Sequence, residues 1–445
     1  MNTTPARPLP RRRSVLAVGG VATAAAALAA CSSDSGGGDG GSDGGTGASA
    51  ADFEERGPIT LAKGKDTTGK LAEFLESWNS EHPDEEVTLI ELPESADEQR
   101  QQMLNNAQAK SDAYTVLGLD VVWTAEFAAN QWVVELPQDG FPLDELIPST
   151  VVTGTYFDKL YGVPFTTNAQ LLFSRTDLLE KAGLDGPPET FEEMYAAIET
   201  LQEDDPELLG FGSQYSKYEG LTVQTSSLVA SAGGELFDDQ GEPHADSSEA
   251  IMGLQAVRDG FDKGYIPQEA LTYKEEESRQ AYQDGRLAFL QNWPYVWALG
   301  QAEDGSSKVN GKMVASLVPG FDGPGSTTLG GLNLAISAFA KNKGTAVDFI
   351  AFMVDAAQQK DWGLATSQAP ANAGVYEDQE MLDAFPFLPQ LKEAIDQGSS
   401  RPAVVNYGDV TQAIQEAAYG CLSGETEAEA AMTQLQTQLG ELEEG

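Results

Sequence analysis

The sequence predicts an α/β fold, and three observations carry that prediction. Runs rich in Val, Ile and Leu alternate with amphipathic runs of helical length, the alternation returns after a helix-rich middle section, and 445 residues at 41% hydrophobic and 22% charged can bury a large core. In order, Pro58-Ile59-Thr60-Leu61-Ala62 reads as a first strand, and Thr67 or Thr68 as the cap of a helix that repeats Leu71, Phe74, Leu75 and Trp78 at helical spacing. A second strand is expected over 87–92, a helix over 96–110 and a third strand over 116–122. Strands joined by helices of this length imply parallel neighbours. A strand at 170–174 and a helix at 176–182 follow, then helices near 190–202, 220–232, 247–263 and 275–284. A strand at 286–291 precedes the return of the α/β pattern: a strand at 332–337, one long helix or two over 345–366, and a helical, acidic tail from Val410.

Charge and cysteine content narrow the function classes. Asp and Glu number 70 against 26 Lys and Arg, a net charge of −44, which repels phosphate backbones and anionic bilayers and excludes nucleic acid as a partner. The N-terminus reads as an export signal: Arg7, Arg11, Arg12 and Arg13 precede an apolar run over 15–30 that is too short and too Ala-rich to span a bilayer. Leu28-Ala29-Ala30-Cys31 resembles the bacterial lipobox, which implies a lipid on Cys31 after removal of residues 1–30, and Arg12-Arg13 loosely fits a twin-arginine signal. With Cys31 lipidated, Cys421 has no partner for an intramolecular disulfide. Residues 32–51 hold eight Gly, five Ser and three Asp, a flexible tether. Gly36, Gly38 and Gly41 match a dinucleotide-binding spacing there, but without a preceding strand or a following helix the match is empty.

Several stretches resemble the solute-binding proteins of bacterial sugar ABC importers, the maltodextrin-binding-like family and its trehalose/maltose-type members above all. They are Gly64-Lys65-Asp66, the run from Asp120 through Trp123 and Glu126 to Ala128, Lys159-Leu160-Tyr161-Gly162-Val163-Pro164-Phe165, Thr176 to Leu184, Tyr218-Glu219-Gly220-Leu221, Asn292-Trp293-Pro294-Tyr295, Gly330-Gly331-Leu332-Asn333, and Arg401-Pro402 with Tyr407-Gly408-Asp409. The resemblance implies a two-lobe periplasmic-binding-protein-like fold with three inter-lobe crossings, near 164–167, 314–319 and 370–374, and a ligand cleft. Lobe I would comprise 53–165 and 319–370, and lobe II 166–318 and 371–445, behind a signal peptide at 1–30 and the tethered Cys31 at 31–52.

A sugar has flat C–H faces that lie on aromatic rings and a rim of hydroxyls that donate and accept, so its site needs rings plus planar polar groups. Trp293 and Tyr295, flanking Pro294, are the expected platform, with a core pair as the alternative; Trp78, Trp132 and Trp297 read as core. Asp120 closes a strand and either caps the following loop or, as the family pattern implies, binds sugar hydroxyls, and Asn168 just after the first crossing is expected to bind them as well. Glu219, Arg401 and Tyr407 are expected there on the family pattern, although a carboxylate before a helix also suits the helix dipole and an Arg equally serves a structural ion pair. Asp66 either bonds sugar or caps the first helix, with Lys65 beside it. Gly331 and Leu332 complete the candidate set, and Leu332 is a departure, since many relatives carry a Trp platform at that position.

The resemblance thus implies a non-catalytic receptor that closes on a neutral carbohydrate, an α-linked disaccharide such as trehalose or maltose, and delivers it to an ABC permease driven by a separate ATPase. It implies a monomer without cofactor or metal, lipid-anchored to the outer face of the cytoplasmic membrane. A secreted glycoside hydrolase with paired carboxylates is the rival class, although no G-x-S-x-G or H-E-x-x-H occurs and His82 and His244 complete no triad or zinc set. A binding protein for another sugar, a sugar alcohol or a glycerophosphodiester is the third.

Overall fold

In the computed structural model, residues 53–238 and 241–443 are described. The expected signal peptide, the expected lipid site Cys31 and the expected tether lie outside them. The first half runs β1 (Ile59–Gly64), α1 (Leu71–Glu81), β2 (Val87–Leu92), α2 (Ala96–Gln108), β3 (Val116–Asp120), α3 (Thr124–Ala129), α4 (Pro148–Thr153), a hairpin of β4 (Thr155–Tyr156) and β5 (Lys159–Leu160), and β6 (Gly162–Asn168). The chain then passes into β7 (Leu171–Arg175), α5 (Thr176–Ala182), α6 (Phe191–Asp204), β8 (Leu209–Gly212), α7 (Glu219–Ser231), α8 (Ser248–Asp262), α9 (Glu275–Gln283), β9 (Leu287–Asn292), α10 (Val296–Gly300) and β10 (Met313–Ser316). It returns through β11 (Gly330–Ile336), α11 (Lys343–Val354) and α12 (Ala356–Thr366), and ends on α13 (Gln379–Ala384), α14 (Leu388–Gln397), α15 (Tyr407–Leu422) and α16 (Ala428–Glu443).

Two sheets organise these elements, one of order β2-β1-β3-β11-β6 and one of order β10-β7-β9-β8. The parallel pairing expected of the first strands holds for β1, β2 and β3, but both sheets are mixed. β1 is parallel to β2 and β3, and β8 to β9, but β11 runs antiparallel to β3 and β6, and β7 antiparallel to β9 and β10. The reason is connectivity: β7 and β11 each enter their sheet from the side where the other sheet lies, so they oppose the strands that end there. The first passage follows β6, where Thr167 N donates to Ala369 O at 3.0 Å and Thr166 pairs with Pro370, so the third passage lies beside the first. The second falls later than 314–319. Val314 belongs to β10, and Gly320 still pairs with Thr190 of the second half; Thr328, beside Ser399, makes the transition.

Side-chain alternation explains the packing. In β1, Ile59 and Leu61 face a cluster with Val116, Val163, Phe349 and Trp362, while Ala62 faces Leu104, Leu117 and Phe127 on the other side. The second sheet buries Leu172, Phe173, Phe211 and Phe289 against α6, α8 and the C-terminal helices. Residues 345–366 form two helices because Asp355 leaves helical dihedrals and its carboxylate accepts from Ala357 N at 2.9 Å, capping α12. Cys421, on α15, is completely buried.

Candidate functional site

A cavity of about 220 Å³ opens where the ends of the two sheets meet, lined from β3 by Asp120, from β6 by Thr166 and Asn168, from β11 by Gly330, Gly331 and Leu332, and from the segments after β9 and α14 by Trp293, Tyr295 and Arg401. These residues lie at neighbouring register positions, Leu332 opposite Asp120 and Thr166, and Gly330 opposite Asn168.

At its base Arg401 joins the two halves. One guanidinium nitrogen donates to Asp120 Oδ1 at 2.7 Å and the other to Glu219 Oε1 at 2.5 Å, with the Arg401 side chain 1% exposed. Glu219 also accepts from the hydroxyls of Tyr407 and Thr411, at 2.5 and 2.7 Å. Burial pushes the Glu219 carboxyl above its ordinary range, against the opposing pull of Arg401. Losing Arg401 would strand two carboxylates in a site where unpaired charge costs several kcal/mol, on the order of 3–5. The Glu219 amide donates to Asp97 Oδ2 at 2.9 Å, a second link between the halves.

The aromatic wall is set by glycine. A Cβ at Gly330 would stand 2.8 Å from Cη2 of Trp293, so the indole lies against bare backbone. Asn292 steadies the loop: its Oδ1 accepts from Trp293 N at 2.7 Å, and its amide donates to Ser278 and to the Glu275 carbonyl. Tyr295 is nearly buried, its hydroxyl donating to Glu276 at 2.6 Å. Three polar atoms around the cavity, Thr166 Oγ1, Asn168 Oδ1 and Arg401 Nε, are buried with no partner among the described residues. Buried polar groups are rarely left so.

Of the residues expected at a site, Lys65, Asp120, Asn168, Glu219, Trp293, Tyr295, Gly331, Leu332 and Arg401 line this cavity. Asp66 and Tyr407 do not. Asp66 is a turn residue before α1: its Oδ1 accepts from the Thr68 amide and hydroxyl and its Oδ2 from Leu71 N at 2.6 Å, so the carboxylate satisfies the first helical amide while Thr68 Oγ1 accepts from Lys70 N at 3.4 Å. Tyr407 is fully buried behind Glu219, which it orients. Lys65 is exposed, with Nζ 3.9 Å from Glu94. Trp78 and Trp132 pack as core rings, against Phe349 and Phe127, and Trp297 packs against Phe387.

Sequence reasoning missed Lys63, Glu94, Gln99, Glu275 and Gln368, which also line the cavity. Lys63 carried a signal, a lone cation at the end of an apolar strand; it is 6% exposed, and burial lowers its ammonium below the usual lysine range. Glu275 opens the run Glu275-Glu276-Glu277, which reads as a solvated helix start. Burial raises its carboxyl to about 7. Among the described residues no group of three His, Cys, Asp or Glu is placed to hold a metal, and no helix is long and apolar enough to cross a membrane.

The family described as bacterial extracellular solute-binding protein matches residues 62–360, a span that takes in both sheets and most of the cavity wall. The chain belongs to this family. Among its relatives, a probable ABC transporter-binding protein of Deinococcus radiodurans is 32% identical over 80% of this chain and 86% of its own length. The arabinooligosaccharide-binding protein of Halalkalibacterium halodurans is 24% identical over 66% of each. Among solved structures, the maltose-bound MalE3 of T. maritima superposes with a TM-score of 0.82 at 32% identity, covering 86% of this chain and 99% of that one. The GacH receptor of Streptomyces glaucescens, at 23% identity and a TM-score of 0.75, shares the two-lobe fold.

Proposed function

We propose that this family member is the receptor of a sugar ABC importer. It captures a neutral carbohydrate, an α-linked disaccharide such as trehalose or maltose, between its lobes and presents it to the permease subunits, with the ATPase acting on the far side of the membrane. The carrying observation is the pairing, across one cavity, of the Trp293 ring with the unpartnered Thr166, Asn168 and Arg401 atoms. A ring face plus scattered open hydrogen-bond positions suits a sugar, whose two surfaces need both. The likeness to a maltose-bound protein supports the substrate, and Leu28-Ala29-Ala30-Cys31 supports a lipid anchor at the outer face of the cytoplasmic membrane.

The hydrolase alternative is disfavoured by Asp120 and Glu219, which are both held by Arg401 and so are not poised as an acid and a nucleophile. Calorimetric titration with trehalose, maltose and a panel of other sugars and polyols tests the reading. Saturable binding of a disaccharide without released monosaccharide is expected, and Trp293→Ala weakens it by at least about tenfold, a loss of roughly 1.4 kcal/mol. Turnover, or undiminished affinity in that variant, would overturn it.

A further inference from the structure

Four glutamines that no role at the site accounts for meet in the interior of the second half. Gln170, Gln214, Gln224 and Gln291 are 0, 0, 1 and 4% exposed. Gln214 Oε1 accepts from the side-chain amides of Gln170 and Gln224, both at 2.7 Å, and Gln170 Oε1 accepts from those of Gln224 and Gln291, both at 2.8 Å. Each of these two carbonyls therefore receives two N–H donors, its full capacity. Gln170 N further donates to Thr327 Oγ1 at 3.2 Å, which ties the cluster to the second passage between the sheets.

An apolar core of the same volume would be no less stable than a buried polar cluster, so what the amides add is direction. Their placement along the chain shows what is directed. Gln170 stands two residues after Asn168, Gln291 two residues before Trp293, and Gln224 follows the cavity-lining Val223 on α7, the helix that Glu219 opens. Gln214 joins these three segments to the end of β8. α7 is buried nearly all round and turns further polar groups inward, where Ser227 Oγ accepts from Thr328 N at 2.9 Å and Ser231 Oγ donates to Ser326 O at 2.9 Å.

We propose that this glutamine cluster is a positioning anchor that fixes Asn168, Trp293 and Glu219 relative to one another, and so sets the geometry of the sugar-site wall they form. The proposal rests on the sugar-binding reading for its effect on affinity, but not for its effect on Trp293.

The test uses the chain labelled with 5-fluorotryptophan, its Trp293 fluorine resonance assigned by loss in Trp293→Phe, and the near-isosteric variants Gln170→Met, Gln224→Met and Gln291→Met. The Trp293 resonance is expected to shift or broaden in each variant while those of Trp78 and Trp362, in the other half, stay in place. Affinity for the tightest-binding sugar of the panel falls at least about tenfold in Gln170→Met and Gln224→Met. Variants that melt earlier but keep the Trp293 resonance unmoved and bind within about twofold of the parent would show a merely structural cluster and overturn the proposal. Gln291→Met, which removes a peripheral donor, keeps the test available if a central variant does not fold. If the parent chain binds no sugar at all, the functional reading falls, and the fluorine spectra alone decide the anchor.

Discussion

At Gly330 the requirement is for nothing beyond hydrogen, because the Trp293 ring occupies the space a side chain would take. Gly330→Ala is therefore expected to tilt the indole and cost about tenfold in sugar affinity by calorimetry, while the melting temperature moves by only a few degrees. Glu275 supplies a pH signature. Its carboxyl is raised to about 7 by burial, so between its ordinary range and 7 the unfolded chain has released the proton that the folded chain still holds. Stability from this group is present at acid pH and is lost as pH rises toward 7. Melting curves from pH 5 to 8 should fall less steeply in Glu275→Gln than in the parent, by a difference on the order of 1–2 kcal/mol after solvent screening.

Among the elements, those with local signals were readable and those defined by partners were not. α5 has the expected bounds and α2 and α6 nearly so, because an apolar stripe or a turn residue marks each. Thr190 and Glu193 form a reciprocal cap at the start of α6, and Thr190→Ala should lower stability by about 1 kcal/mol in chemical denaturation. β8, β10 and β6 gave no comparable pattern: they are four to seven residues long, and β6 is buried along almost its whole length, so no alternation marks it. The directions of β7 and β11 depend on which sheet the chain has just left, which local composition does not encode. In the site, aromatic and carboxylate residues inside family motifs were found, whereas Lys63 and Glu275 were missed because their neighbours disguise them as strand edge and helix start. Asp66 and Tyr407 show the converse, motif residues whose side chains serve the fold around the site.

For the whole molecule, the links that cross between halves decide how it moves. Asp120 with Arg401 and Asp97 with the Glu219 amide link the cavity walls, and Asp120, Glu219 and Arg401 line the cavity itself. A ligand touching both walls favours the arrangement in which they approach, by as much as its contacts there exceed those in a separated state. Small-angle scattering should show a smaller radius of gyration on adding the binding sugar, and thermal unfolding should rise with its concentration, by about 2.7 kcal/mol at a hundredfold excess over Kd. Unchanged scattering at saturation would mean that the lobes do not close.

The thiol of Cys421 has a practical consequence. It is wholly enclosed in α15 and its pKa is pushed up to about 11 by that burial, so it reacts slowly with maleimides. A version of the chain lacking Cys31 thus offers a blank background, on which a pair of introduced cysteines, one on each rim of the cleft, would accept dyes and convert every capture event into a change of light.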